Sequence, residues 1–349
     1  MLGLKKEELE KVEKNKSKFH KILKGCLKIK EEQILIISDY GSEDRNLAMI
    51  LAYGYHLAAK DKGMNSTILL QQVKQGFMRA DDHILKALEL LENNSIIILC
   101  LSNKLGRLGD LGKSFRNFCK EKGHRFISTT SLHNVNASKF DIFMEAIDIN
   151  YNRLNKKASK LKTKLDRAKT IRIKTEKGTD ITFDVEKKEA KLNTGSYSKP
   201  ETGGNIPAGE VYIPPRGMYG VEGVVIIDGS MRHDGGTQLL DEPLKLVIKE
   251  GRVMEIEGKY KELMEKTLTR HENRAKYPER VRMIGELGIG INPGAILVGS
   301  SILDEKVLGT AHIAIGSNYW FGGDIRTVFH ADQIFMNPRI FIDGEELKV

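Results

Sequence analysis

The chain has 349 residues, 40% of them hydrophobic and 30% charged, which is the balance of a globular protein with about two domains. No apolar run approaches the roughly 18 residues of a membrane span. The charged stretch Met1–Lys18 lacks the apolar core of a secretory signal, so no membrane association is predicted. The cysteines Cys26, Cys100 and Cys119 show no C-x-x-C spacing; they favour neither a disulfide framework nor a zinc ribbon and predict a cytoplasmic protein.

The net charge of +9 is unevenly distributed along the chain. Residues 1–170 hold 32 basic and 20 acidic side chains, whereas residues 171–349 hold 24 and 27. Much of the basic excess lies in Lys5–Lys30 and Arg153–Lys174, which predict amphipathic helices with solvated, lysine-rich faces. Because aromatic residues are not interleaved with the lysines, a nucleic-acid partner is not favoured.

Strands and helices alternate in the first half of the chain. Four apolar runs predict buried strands: Gln33–Ser38, Ser66–Gln71, Ser95–Leu101 and Arg125–Thr129. Helical patterns lie between them, near Arg45–Lys62, Asp82–Glu92 and Leu108–Lys122. This alternation predicts a parallel sheet with helices on both faces. A nucleotide site is not favoured there, because no G-x-G-x-x-G follows the first strand and no Walker A sequence is present.

The second half is richer in turns, since all eight prolines lie at or beyond Pro200 and 23 of the 33 glycines follow residue 170. A helix near Tyr151–Ala168 is followed by predicted hairpins at Thr170–Val185, Leu244–Ile256 and Ile340–Val349. We therefore predict an α/β protein in three parts. An N-terminal open parallel-sheet α/β domain spans residues 1–150, a connecting helix spans 151–169, and a β-rich α+β domain spans 170–349.

Residues of metal-binding type accompany Gly-rich backbone in the second domain. His330 and Asp332 are two residues apart, which places both on one face of a strand. Glu210, Glu286 and His312 lie in or beside apolar stretches, where a buried charge needs a partner. Each residue alone is also compatible with an ion pair or a hydrogen-bonded pair. Together they form a mixed oxygen and nitrogen donor set that suits Zn²⁺, Co²⁺, Mn²⁺ or Fe²⁺ and is large enough for two ions.

The same residues carry a resemblance to a known family. The sequences GNIPAGEV, GELGIGIN, GTAHIAIGSNY and HAD, in this order between residues 204 and 332, resemble the thermophilic-type metallo-aminopeptidases, the family of aminopeptidase T, aminopeptidase S and PepS. The resemblance implies two metal ions, with Glu286 as the shared carboxylate. It implies that the remaining ligands are Glu210, His312, His330 and Asp332.

The sequence differs from the family pattern at one ligand position. The family has a further Glu five residues before the His, and Val307 stands at that position here. Either Glu305, two residues away, takes this role through a bulge, or this ligand is missing from the site. The resemblance also extends to a metal-dependent pyridine-ring dioxygenase branch, which uses a His and a His-x-Asp pair on one iron. The pair Glu210 and Glu286 favours the two-metal peptidase over that branch.

We therefore expect a cytoplasmic metallo-aminopeptidase that releases N-terminal residues from peptide substrates at a site of two divalent ions, Zn, Co or Mn. Glu286 and Tyr319 are the predicted catalytic residues, with the Tyr319 phenol donating to the developing oxyanion unless its ring only packs. Trp320 either lines the pocket or packs. The resemblance implies a homodimer. The alternatives are a mononuclear iron ring-cleaving dioxygenase and a non-catalytic metal- or nucleic-acid-binding protein.

Overall fold

The computed structural model describes residues 3–42, 44–112 and 114–347. Its α-helices are, in chain order, α1 (Lys6–Gly25), α2 (Leu47–Asp61), α3 (Asp82–Leu90), α4 (Phe115–Glu121), α5 (Phe140–Ile147), α6 (Tyr151–Leu165), α7 (Lys261–Glu272) and α8 (Ser301–Asp304). Within the described ranges, no helix combines the length and apolarity that crossing a bilayer requires.

The strands are short and most of them follow α6. They are β1 (Ile34–Asp39), β2 (Ser66–Gln71), β3 (Ile96–Cys100), β4 (Arg125–Thr129), β5 (Thr170–Lys174), β6 (Asp180–Asp184), β7 (Lys191–Asn193), β8 (Gly203–Asn205), β9 (Glu210–Ile213), β10 (Val221–Ile227), β11 (Ser230–His233), β12 (Gly236–Leu239), β13 (Leu244–Lys249), β14 (Arg252–Glu257), β15 (Ile284–Gly290), β16 (Thr310–Gly316), β17 (His330–Met336), β18 (Arg339–Ile342) and β19 (Glu345–Glu346).

By its internal contacts the chain divides into two compact units. Residues 1–151 and 195–208 form the first unit, and residues 152–194 and 209–349 form the second. Segment 195–208 lies with the first unit because β8 pairs with β4, a pairing that the predicted limits of 1–150, 151–169 and 170–349 do not include. Those limits remain a prediction of which parts fold independently.

The first unit is built on a parallel sheet in the strand order β2-β1-β3-β4-β8. Every residue of β1 and β3 is buried, which explains why the sequence shows them as continuous apolar runs. Helices α1 and α2 pack closely because Gly54 leaves room for the Phe19 ring, which also meets the Tyr55 ring edge-on with centroids 5.0 Å apart.

Three predicted elements differ in extent from the structure. The connecting helix predicted over 151–169 ends at Leu165 as α6. The helix expected near Leu108–Lys122 is confined to α4, because the Ser114 hydroxyl accepts the Asn117 N–H and caps the helix there. The backbone before it contains Gly112 with φ of +134°, which no helix accommodates. The C-terminal hairpin forms between β18 and β19, and its last two predicted residues, Lys348 and Val349, lie outside the described residues.

The second unit contains two antiparallel sheets of seven strands. One has the order β14-β13-β10-β6-β5-β18-β19, and the other has the order β12-β11-β17-β16-β15-β9-β7. The predicted fold class is therefore confirmed: a parallel-sheet α/β part is combined with a β-rich antiparallel part. The second of these sheets positions the predicted metal-binding residues, because β17, β16, β15 and β9 are consecutive neighbours in it.

Candidate metal centre

Four neighbouring strands bring the predicted donors onto one face of their sheet. Glu286 of β15 and Asp332 of β17 both lie directly opposite Ala314 of β16. Two residues after Glu286 on β15, Gly288 lies opposite His312 of β16. Two residues further on, Gly290 lies opposite Glu210 of β9. Residues that are directly opposite in antiparallel strands share a face. The side chains of Glu286, His312, Asp332 and Glu210 therefore lie on the same face of the sheet. His330 lies on this face too, because it is two residues from Asp332 on β17, as the His-x-Asp spacing predicted.

Glycine on β15 leaves the space that the donors occupy. A Cβ atom at Gly288 would lie 2.0 Å from His312 Nε2, so the imidazole fills the position that any other side chain would take. A Cβ atom at Gly290 would lie 2.1 Å from the Val307 carbonyl oxygen. Gly288 and Gly290 of the GELGIGIN sequence are therefore required by close packing of an imidazole and of a loop against the strand.

The donor atoms converge at short distances. Nε2 of His312 lies 3.4 Å from Glu286 Oε1, and Nε2 of His330 lies 3.3 Å from Asp332 Oδ1 and 3.9 Å from Glu286 Oε2. Glu286, His312 and Asp332 can each offer one atom such that all three atoms lie within 4.8 Å of one another. Because His330 Nε2 is also close to Asp332, the buried cluster offers two imidazoles and two carboxylates, more than enough donors for one transition-metal ion.

The ring of His330 is oriented by the backbone. Its Nδ1 lies 2.8 Å from the Ser317 carbonyl oxygen, so a proton on Nδ1 is donated there and Nε2 points at Asp332 and Glu286. Such a hydrogen bond on the other ring nitrogen is typical of metal-ligating histidines. The His330 side chain keeps 25% of its surface exposed, whereas that of His312 is fully buried, so the cluster is reached from the His330 side.

The electrostatic field of the cluster favours cations. Burial lowers the pKa of His330, but the charges of Asp332 and Glu286 outweigh it and raise this pKa to about 9. Burial raises the pKa of Asp332, yet the two imidazoles hold it well below its usual range. The pKa of Glu286 is raised, mainly by burial. The negative charges that hold a proton on the His330 ring also attract a metal ion, which takes the place of the Nε2 proton when it binds.

Glu210 and Glu305, the two remaining predicted metal ligands, both contact Lys306, a residue that no sequence pattern indicates as part of the site. The ammonium of Lys306 donates to Glu210 Oε1 at 2.5 Å and to the Glu305 carboxylate. Lys306 is fully buried; burial lowers its pKa, but the two carboxylates raise it above its ordinary value. A lysine in a loop is usually solvated, so no sequence signal identified it.

The aromatic candidates lie at the exposed end of the cluster. Tyr319 begins a short 3₁₀ turn, its ring is exposed, and the Arg326 guanidinium lies 5.4 Å from the ring centroid. Its catalytic assignment stays a prediction. The Trp320 ring is 57% exposed and meets the His330 ring edge-on, with centroids 4.7 Å apart. Trp320 therefore forms an open aromatic wall beside the donors.

Comparisons with known proteins favour an oxygenase. The sequence model of the NicX family, 2,5-dihydroxypyridine 5,6-dioxygenase, matches residues 15–348. The solved 2,5-dihydroxypyridine dioxygenase of Pseudomonas putida KT2440 is similar with a TM-score of 0.74 at 15% identity, covering 97% of this chain and 96% of that one. AmpT of Thermus thermophilus is similar with a TM-score of 0.66 at 15% identity, covering 95% and 96%. Curated proteins gave no match by sequence.

The family match corrects the predicted activity. Both structural similarities show a shared fold, so the relation to aminopeptidase T holds for the fold. The predicted metallo-aminopeptidase activity is wrong, because the family model that covers nearly the whole chain is that of a dioxygenase and not of a hydrolase. The Glu pair misled the prediction, since Glu210 faces Lys306. The chain belongs to the NicX family.

Proposed function

We propose that this member of the NicX family is a metal-dependent dioxygenase that opens a hydroxylated nitrogen heteroaromatic ring of the dihydroxypyridine class. The convergence of His312, His330 and Asp332 on one face of the sheet carries the proposal. Two imidazoles and one carboxylate make up the facial triad typical of non-haem Fe²⁺ oxygenases. We accordingly propose iron as the metal, in place of the zinc, cobalt or manganese expected from the peptidase interpretation.

In this proposal the three triad residues hold the ion through His312 Nε2, His330 Nε2 and an Asp332 oxygen. When bound, such an ion supplies the redox chemistry that joins dioxygen to an electron-rich ring. Ser317 keeps the His330 ring in the orientation that points Nε2 at the ion. Gly288 keeps room for the His312 ring. Ser317 and Gly288 thus fix the positions of the two imidazoles that would hold the ion.

Two further side chains handle the substrate in this proposal. The exposed Trp320 ring stacks against a flat aromatic substrate that enters from the His330 side, as aromatic side chains do with planar rings. Glu286 lies outside the triad but within 3.9 Å of His330 Nε2, and its carboxylate accepts the proton of a ring hydroxyl that approaches the ion.

Iron loading and oxygen consumption test this function together. We expect protein reconstituted with Fe²⁺ without air to consume oxygen when 2,5-dihydroxypyridine is added, with loss of the absorbance of the ring. His330→Ala and Asp332→Asn should each lower the rate at least about a hundredfold, because loss of groups that merely support ligands already costs 10- to 100-fold. His83→Ala, at an exposed histidine in the first unit, is the matched control and should keep the rate.

A folded, iron-loaded protein that takes up no oxygen with any hydroxylated pyridine or related ring would reject the proposed function. Release of an N-terminal residue from peptides is not expected.

Trp320→Ala should raise KM more than it lowers kcat, because the ring contacts the substrate and not the ion.

The location and assembly of the protein are part of the same proposal. The three cysteines are buried free thiols, and burial raises the pKa values of Cys26 and Cys119 to about 12, so both stay protonated. This supports the cytoplasmic location predicted from the sequence, where thiols remain reduced. The homodimer and the lack of a nucleic-acid partner remain predictions, which sedimentation and salt-dependent binding assays would test.

A further inference from the structure

Lys306 is a lysine without an exposed side chain in the middle of the acidic cluster. Its backbone is held from both directions, since Asn292 N donates to the Lys306 carbonyl at 2.8 Å and Lys306 N donates to the Leu303 carbonyl at 3.0 Å. The ammonium is therefore fixed between Glu210 and Glu305 and is not a mobile surface group.

The ammonium shares its carboxylates with the donor cluster. Glu210 turns one oxygen to Lys306, and its other oxygen lies 3.9 Å from His312 Nε2. Glu305 contacts the Asp332 carboxyl group as well as Lys306. The cluster is thus continuous, with the triad at one end and the ammonium at the other.

Charge balance limits how many cations this cluster accepts. It contains four buried carboxylates, those of Glu210, Glu286, Glu305 and Asp332. One divalent ion and the ammonium supply three positive charges, whereas two divalent ions and the ammonium would supply five against at most four negative charges. A second divalent ion would lie beside the fixed ammonium and would have to share Glu210 and Glu305 with it. Buried like charges at such short range are unfavourable.

We propose that the Lys306 ammonium is the second cation of the cluster, and that by occupying the space between Glu210 and Glu305 it limits the site to one divalent ion. This inference rests on the metal site of the proposed function. It explains how a donor set large enough for two ions belongs to a site that binds one. Lys306 is a positioning residue, since it acts through the carboxylates that it holds.

Metal stoichiometry tests the inference without reference to activity. Metal-free protein is dialysed to equilibrium against Co²⁺ or Mn²⁺, and bound metal per chain is measured by elemental analysis. We expect one ion in the wild type and two in Lys306→Met, because methionine is of similar length but leaves Glu210 and Glu305 without a cation. The matched control combines Lys306→Met with Glu210→Gln and Glu305→Gln, and it should return to one ion.

Each outcome decides between the inference and the site on which it rests. Lys306→Met that is folded by circular dichroism yet binds one ion overturns the inference, and so does a wild type that binds two. A wild type that binds no ion rejects the metal site itself, and the inference with it.

A second variant decides the matter if Lys306→Met does not fold. Glu210→Gln in the presence of Lys306 should still bind one ion per chain, with affinity lowered by no more than about a hundredfold, because Glu210 holds the ammonium and does not ligate the ion. Loss of metal binding in this variant would make Glu210 a metal ligand and would overturn the inference.

Discussion

Gly288 is the residue at which the smallest change should affect the metal centre most. A Cβ atom there would lie 2.0 Å from His312 Nε2, and the nearest three atoms all belong to that imidazole. In Gly288→Ala the ring must leave its position, so we expect metal affinity to fall at least about tenfold. Titration of the metal-free protein with Co²⁺, followed by its visible absorption, measures this affinity.

The adjacent Ile289 provides the matched control for Gly288→Ala. It is buried, but the alternation of β15 turns its side chain to the opposite face of the sheet. Ile289→Val removes one methylene group and should lower the free energy of unfolding by about 0.5–1.5 kcal/mol without changing metal affinity. Equal metal affinities of Gly288→Ala and Ile289→Val would contradict the role that the packing assigns to Gly288.

Single residues also show what the sequence could and could not predict about the site. Glu286, His312, His330 and Asp332 were identifiable because strand alternation and apolar neighbours are local properties of the sequence. The partner of Glu210 was not, since Lys306 lies 96 residues away along the chain and becomes buried only through the packing of a loop against β15. The local sequence around a pair of Glu residues is the same whether a metal ion or an ammonium group neutralises their carboxylates.

Among the elements, the buried contact between α1 and α2 is sensitive to a small substitution. A Cβ atom at Gly54 of α2 would lie 2.3 Å from the ring of Phe19, which is fully buried on α1. Gly54→Ala must therefore displace the ring, and we expect the free energy of unfolding to fall by about 1–3 kcal/mol despite the better helix propensity of alanine. Urea unfolding followed by circular dichroism measures the change.

Gly25→Ala is the control for this helix contact. Gly25 is the last residue of α1, and a Cβ atom there would meet nothing within 4 Å. This substitution should leave stability unchanged or raise it by up to about 1 kcal/mol through the helix propensity of alanine. If Gly54→Ala proved as harmless as Gly25→Ala, close packing of Phe19 over α2 would not be a source of stability.

Elements were predictable where their residues carry a periodic pattern. The buried strands β1 to β4 read directly as apolar runs, and each lies within two residues of its predicted limits. Strand β8 was missed, because Gly203, Gly204 and Asn205 have neither apolar side chains nor strand propensity. Its place is dictated by pairing with β4, which is a long-range contact that no local pattern encodes.

For the whole molecule, the fold class followed from the contrast between the two halves of the chain, but the activity did not. An α/β half followed by a turn-rich β half is a property of composition and periodicity. AmpT and the dioxygenase of Pseudomonas putida both have folds similar to this chain, so the fold alone does not separate hydrolase from oxygenase. The distinction has to come from side chains of the site and not from the arrangement of helices and strands.

The stability of the whole molecule should depend on pH through His124, which is fully buried beside the Phe118 ring. Burial lowers the pKa of this imidazole from 6.5 to about 4. Between these values the unfolded chain binds a proton that the folded protein does not bind. Stability is therefore retained above pH 6.5 and lost as the pH falls towards 4. From pH 7 to pH 5 this residue should lower the free energy of unfolding by about 2 kcal/mol.

Comparison of the wild type with His124→Phe isolates this contribution, because phenylalanine has a similar size and does not titrate. Urea unfolding of both proteins at pH 7 and pH 5, with chelator present throughout, gives the free energy of unfolding in each case. Contributions from the metal centre are common to both proteins and cancel in the difference. The wild type should lose about 2 kcal/mol more than the variant on acidification. Equal losses would mean that the folded protein accepts the charged imidazole at position 124 and that the pH dependence arises elsewhere.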